Sequence, residues 1–200
     1  RGLSVDAIKS GRLVPLALHV DYWDYIGWKD PYAKPAFAVR QREMARLSNA
    51  TVVYTPQVMV AGRDFRDWSR PARFDAEVKR VNVLPASASI ALAIEGADDL
   101  HVKVEASLAP GVDRAKAVLY VALTQSGLTS QVRAGENRGV TLAHDHVARG
   151  WWGPISADAE GLFRVAQVVR SPDRRGIGAA AFVQDRQTGR VLQAVTLTGC

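Results

Sequence analysis

Two hundred residues, 48% hydrophobic and 23% charged with a formal net charge of +6, describe a chain able to bury the core of one or two domains. That balance excludes wholesale disorder, and no apolar run reaches the roughly 18–20 residues of a membrane-spanning helix. The basic clusters are as short as Lys79-Arg80 and Arg174-Arg175, with no stripe of Lys and Arg interleaved with aromatics, so no nucleic-acid partner is expected.

Arg12 to Tyr22 reads as the first strand. Leu13-Val14-Pro15-Leu16-Ala17-Leu18-His19-Val20 is almost continuously apolar, the pattern of a strand buried on both faces in a parallel sheet. The stretch from Asp21 to Tyr32 then mixes aromatics with carboxylates: Asp21, Tyr22, Trp23, Asp24, Tyr25, Trp28, Asp30 and Tyr32. A loop after a parallel strand lies at the carboxyl edge of its sheet, where α/β proteins bind ligands. A helix is expected from Pro35 to Ser48, with Pro35 at its first position and Ala36, Phe37, Met44 and Leu47 on one face; Arg40 interrupts that face and Asn49 stops the helix. Gln57 to Val60 reads as a strand and Gly62 as a turn. Pro56 just before that strand suggests a cis Thr55–Pro56 bond. A last helix, about Pro71 to Val81, presents Phe74, Val78 and Val81.

From about Pro85 the period changes to two. Strands are expected over 86–94, 101–108, 116–124, 129–133, 140–147, 161–169, 178–184 and 191–198, separated by turn residues such as Ala109-Pro110-Gly111 and Thr188-Gly189. Short strands at this spacing indicate an antiparallel β-sandwich. The expected domains are therefore 1–84, α/β, and 85–200, all-β.

The string Leu16 to Pro31, together with Tyr54-Thr55-Pro56-Gln57-Val58, resembles the bacterial family called domain of unknown function 1223. The resemblance implies a thioredoxin-like α/β fold, export to the periplasm or beyond, and thiol–disulfide chemistry. In that family a strand and a Gly-Cys-x-x-Cys-Pro helix start precede the segment seen here. The present chain begins at Arg1, has no leader pattern, and holds one cysteine, Cys200, its last residue. One thiol forms neither an internal disulfide nor a redox pair. The expectation is an N-terminally incomplete thioredoxin-like domain followed by the sandwich, inactive by itself as an oxidoreductase. By the resemblance, Asp21, Trp23, Asp24, Trp28, Thr55 and Pro56 would flank the absent cysteines as a remnant site. Asp21 is the best candidate for a buried acid that moves thiol protons, since it follows an apolar strand.

Other candidates carry a structural reading beside the functional one. His144 and His146, two apart in a strand pattern, would put both imidazoles on one face as metal ligands, but no third ligand is fixed by spacing and His101 is unplaced. The alternative is surface or paired histidines. Gly135-Glu136-Asn137-Arg138-Gly139 is a binding loop or a glycine-punctuated turn. Trp151-Trp152-Gly153-Pro154 is an aromatic platform or a core plug. No cofactor motif is present. Two functions compete: a thiol–disulfide protein in a longer product with the cysteine pair, and a non-catalytic binding or assembly module that meets a protein partner through the β domain.

Overall fold

A computed structural model describes residues 5–50, 52–96, 98–135, 138–170 and 173–198. The front of the chain carries helix α1 (Val5–Lys9), helix α2 (Pro35–Leu47), a small hairpin of β1 (Met59–Val60) and β2 (Arg63–Asp64), and helix α3 (Pro71–Asn82). The rest is β: β3 (Ala88–Glu95), β4 (Asp99–Leu108), β5 (Ala117–Gln125), β6 (Leu128–Gln131), β7 (Thr141–His144), β8 (Val147–Ser156), β9 (Leu162–Arg170), β10 (Ile177–Asp185) and β11 (Val191–Thr198).

Two antiparallel sheets dominate, one ordered β11-β10-β5-β8 and one ordered β3-β4-β9; β6 pairs only with β7. Their facing sides share one core. In β4 the alternation is nearly perfect: Val102, Val104 and Ala106 point inward, and His101, Lys103 and Glu105 outward. They meet Leu119, Val121 and Leu123 of β5, Ala179, Ala181 and Val183 of β10, and Phe163 of β9.

β5 and β10 do not alternate, because both their faces are covered. The outer face carries Val118, Tyr120 and Phe182, and on it lie Leu16 of the leading segment and Trp151 of β8. Phe37 of α2 meets Trp151 edge-on at 6.1 Å, and Arg40 of α2 reaches Tyr120 and Gln184. The molecule is layered: leading segment and α2, then the four-stranded sheet, then the three-stranded sheet.

This overturns the expected α/β thioredoxin-like front. Among the described residues of 12–65 there is no pair of parallel strands bridged by a helix. The apolar run Leu13–Val20 is half-buried and touches the sheet at one parallel bridge, Ala17 to Val147, held by Ala17 N–H to His146 O (2.9 Å) and Ala148 N–H to Ala17 O (3.0 Å). Pro15 has no N–H, so the ladder cannot run through it. The segment is apolar because one side lies on a β-sheet, not because it is the centre of a parallel one. The predicted strand Gln57–Val60 shrinks to two residues paired antiparallel with Arg63–Asp64. Eleven strands in four sheets against three short helices make the described chain β-rich.

Local signals held better. Pro35 opens α2, and Asn49 beyond its end takes a positive φ of 55°. Within α2 the buried stripe is Phe37, Ala38, Arg40, Met44 and Ala45, with Arg40 central and Ala36 exposed. The Thr55–Pro56 bond is cis. No helix among the described residues is long and apolar enough to cross a membrane.

Candidate functional site

The aromatic–acidic stretch folds as a chain of tight turns. Asp24 N–H donates to Asp21 O (3.0 Å) and Ile26 N–H to Trp23 O (3.1 Å), forming one 3-10 turn, Asp24–Ile26, that ends at Gly27 with φ 100°. The acids hold the loop from inside. Asp24 Oδ1 accepts from Asp30 N–H (3.3 Å), and Asp30 Oδ1 accepts from Tyr32 N–H (2.8 Å), an Asx-type turn. The aromatics then anchor outward. Trp23 Nε1 donates to Thr55 Oγ1 (2.8 Å), Tyr22 OH to Gln41 Oε1 of α2 (2.9 Å), Trp28 Nε1 to Gln131 O (3.0 Å) and Tyr32 OH to Thr129 O (3.0 Å). The loop is thus pinned between the Thr55–Pro56 turn on one side and β6 on the other.

Between this loop and β6 lies a groove of about 540 Å³. Trp28, Lys29 and Pro31 form one wall, and Thr129, Gln131 and Arg133 the other. Its charged lining residues are both cations, and neither Lys29 nor Arg133 makes an ion pair among the described residues. Trp23, bonded to Thr55, and Tyr25 are exposed with their rings stacked at 6.3 Å, and neither lines the groove.

Ser130, which also lines the groove, belongs to a polar cluster that sequence reasoning missed. His19 Nδ1 pairs with Asp30 Oδ2 at 2.6 Å, and His144 of β7 lies 5.1 Å from His19 and 5.3 Å from Tyr32, ring centre to ring centre. Ser130 Oγ and His144 Nε2 are 2.7 Å apart. Burial would raise the Asp30 pKa, but the His19 bond, the Tyr32 N–H and the nearby imidazoles together hold it below the ordinary carboxylate value. Burial lowers the His144 pKa, and adjacent His19 lowers it further. Ser130 and His144 have the spacing of a nucleophile and its base. A working base is oriented by a third group, however, and the carboxylate here is engaged by His19 instead. Ser130 is also buried. The pair is a diagonal cross-strand hydrogen bond of the β6–β7 hairpin.

The cluster makes stability pH-dependent in a stated direction. Because the folded state depresses the His144 pKa, the unfolded chain takes up that proton first. The contribution is intact above the ordinary histidine value and is lost as pH falls through it. The Asp30 contribution is lost only at lower pH, through and below the ordinary aspartate value. His144→Gln, which keeps a partner for Ser130 and cannot be charged, is expected to flatten the loss between about pH 7 and pH 5 and to leave the steeper acid loss in place. Urea midpoints across that range, equally pH-dependent in both proteins, would refute the assignment.

The remaining candidates disperse. Asp21 is half-buried at the loop entrance. His144 and His146 do not share a strand face: β7 ends at His144, and His146 lies in the following turn with φ 57°, its N–H bonded to Ser126 Oγ at 2.9 Å. His101 is exposed on β4. Among the described residues no group of three or more His, Cys, Asp or Glu is placed to hold a metal ion. Trp151 and Trp152 sit on β8, most of which lies outside the strands expected from the period of two; alternation sends Trp151 under α2 and Trp152 into the sandwich core. Glu136, Asn137 and Cys200 lie outside the described residues. Of the missed residues, His19 carried a usable signal, being the lone ionisable side chain in an apolar run. Ser130 carried none.

A family model described as protein of unknown function (DUF1223) matches residues 3–184. No curated protein matches the chain. Among solved structures, HBP35 of Porphyromonas gingivalis is similar with a TM-score of 0.61 at 12% identity, over 82% of this chain and 58% of that one. A structural-genomics protein of Agrobacterium tumefaciens is similar with a TM-score of 0.60 at 23% identity, over 98% of this chain and 84% of that one. At these identities the likenesses concern the fold alone. The chain spans less than two thirds of the first structure's length.

Proposed function

Since the chain belongs to the family of proteins of unknown function DUF1223, whose description carries no activity, we propose from its geometry that it is a non-catalytic binding module that takes a protein segment in the groove between the aromatic–acidic loop and β6. The observation that carries this reading is the groove itself, with Trp28 in its lining and its walls fixed by side-chain to backbone bonds. Binding residues on a loop held by a rigid sheet are a common arrangement. The contact surface therefore differs from the one expected from sequence: it combines the front loop with the β6–β7 hairpin.

The test fills the groove. Thr129 is an exposed β6 side chain in its wall, and its carbonyl, which accepts from Tyr32, is untouched by a side-chain change. Peptides selected on this chain from a random display library are expected to bind it and to lose at least tenfold in affinity to Thr129→Trp, equivalent to about 1.4 kcal/mol. Selected peptides that bind both proteins equally would overturn the reading.

A second reading is a thiol–disulfide role for a longer, exported product carrying a cysteine pair. Supporting it, Trp23 bonds Thr55, so two of the six residues that the resemblance places around such a pair are in contact. A product with a Cys-x-x-Cys segment would reduce insulin, its Cys→Ser variant would not, and the present chain would not. Equal activity with and without the cysteines would remove this reading.

A further inference from the structure

Resting on the groove reading above, we infer that the occupant is an acidic peptide segment that also carries aromatic side chains. The lining of the groove includes Lys29 and Arg133 and no carboxylate. Two of the loop's three acids are turned to other work, Asp24 holding the Asp30 N–H and Asp30 holding His19 and the Tyr32 N–H, and the third, Asp21, does not line the groove. The cations are exposed and without counter-ions among the described residues, so a carboxylate entering between them meets positive charge without first displacing an internal partner. The chain as a whole is +6, which steers an anionic ligand in the same sense.

The mode of recognition follows from the edge of β6. The edge of β6 along Thr129–Gln131 is covered by two side chains of the loop, Tyr32 OH donating to Thr129 O and Trp28 Nε1 to Gln131 O, and a peptide adding a strand there would have to displace both. Main-chain pairing is therefore disfavoured, and side chains supply the affinity. Charge comes from Lys29 and Arg133. Stacking area comes from Trp28, with Pro31 beside it, in the lining itself. A flat anionic membrane fits less well, because the two cations lie in a concavity rather than on a protruding face.

The experiment uses three labelled peptides of equal length and equal tyrosine content, alternating Tyr with Glu, with Gln or with Lys, and reads fluorescence anisotropy. The Glu peptide is expected to bind best, and the double reversal Lys29→Glu with Arg133→Glu to weaken it roughly tenfold or more. The control reversal, Arg73→Glu with Lys79→Glu on α3, which does not border the groove, is expected to change it less than twofold. Equal loss in the control would mean diffuse attraction and would overturn the inference. Groove-dependent binding, lost in Thr129→Trp, that is equal for the Glu and Gln peptides would overturn the acidic preference while leaving the groove reading standing. Binding of none of the three would overturn the inference, and the display selection then decides the groove reading separately. Anionic vesicles bound more tightly than the Glu peptide, with the same dependence on Lys29 and Arg133, would also overturn it.

Discussion

Arg40→Ala is expected to cost about 2–4 kcal/mol of stability, from a buried acceptor left without its donor and a lost cation–π contact. Arg40 lies in the buried face of α2, 8% exposed. Its guanidinium stacks on Tyr120 at 4.3 Å and donates to Glu43 Oε2 (2.9 Å), to Tyr120 OH (3.1 Å) and to Gln184 Oε1. Gln184 is 2% exposed, and its amide N–H donates to Gly189 O. Without Arg40 the Gln184 carbonyl is a buried acceptor with no donor, which alone costs about 1–3 kcal/mol. The ion pair with part-exposed Glu43 matters less, so Glu43→Ala is expected to cost under about 1 kcal/mol. Arg40→Lys falls between, since an ammonium cannot both stack on a ring and fork between acceptors. Urea unfolding of the three variants measures the order. A cost for Arg40→Ala no larger than for Glu43→Ala would contradict this account of how α2 is held. Gln41, on the same helix, bonds Tyr22 and the Tyr54 carbonyl, so loss of α2 docking is also expected to weaken peptide binding in the groove.

Gly62→Ala is the second large effect, about 3 kcal/mol or more. Gly62 has φ 86°, and a Cβ there would fall 1.8 Å from Gly189 O and 2.8 Å from Gly189 C. Both are backbone atoms and cannot swing away. The substitution combines roughly 1–2 kcal/mol of left-handed strain with a collision that must part the β1–β2 turn from the β10–β11 turn. Parting them also breaks the bond from Val191 N–H to Ala61 O at 3.1 Å. Gly127→Ala isolates the collision, because Gly127 has φ 72° and nothing within 4 Å of the same position. The two variants therefore share the strain and differ in the overlap. Equal thermal midpoints would show that the turns can separate without cost.

Much of the local architecture was legible. Pro35 and Asn49 bracket α2, the Pro56 position suggested its cis bond, and the alternation of His101 to Leu108 marked β4 as a half-buried strand. These features depend on neighbours within a few residues. The mistaken parallel sheet came from the run Leu13–Val20. A continuous apolar run says that a segment is covered and does not say by what. The same pattern in Ala117–Leu123 and Ile177–Val183 belongs to antiparallel strands, buried on both sides because the leading segment and α2 lie over one face.

By itself, then, the amino-acid order determined where α2 starts and stops, most of the segments that extend in the second half though not β8, and that an aromatic–acidic loop follows an apolar segment. Backbone sterics and side-chain periodicity act over a turn or a strand, and they are written in adjacent residues. Tertiary structure alone decided that Leu13–Val20 crosses an antiparallel sheet, that His19 meets His144, and that Lys29 comes to face Arg133 across a groove. Those outcomes depend on which distant surfaces bury each other, a competition among the whole chain's contacts that no local pattern records.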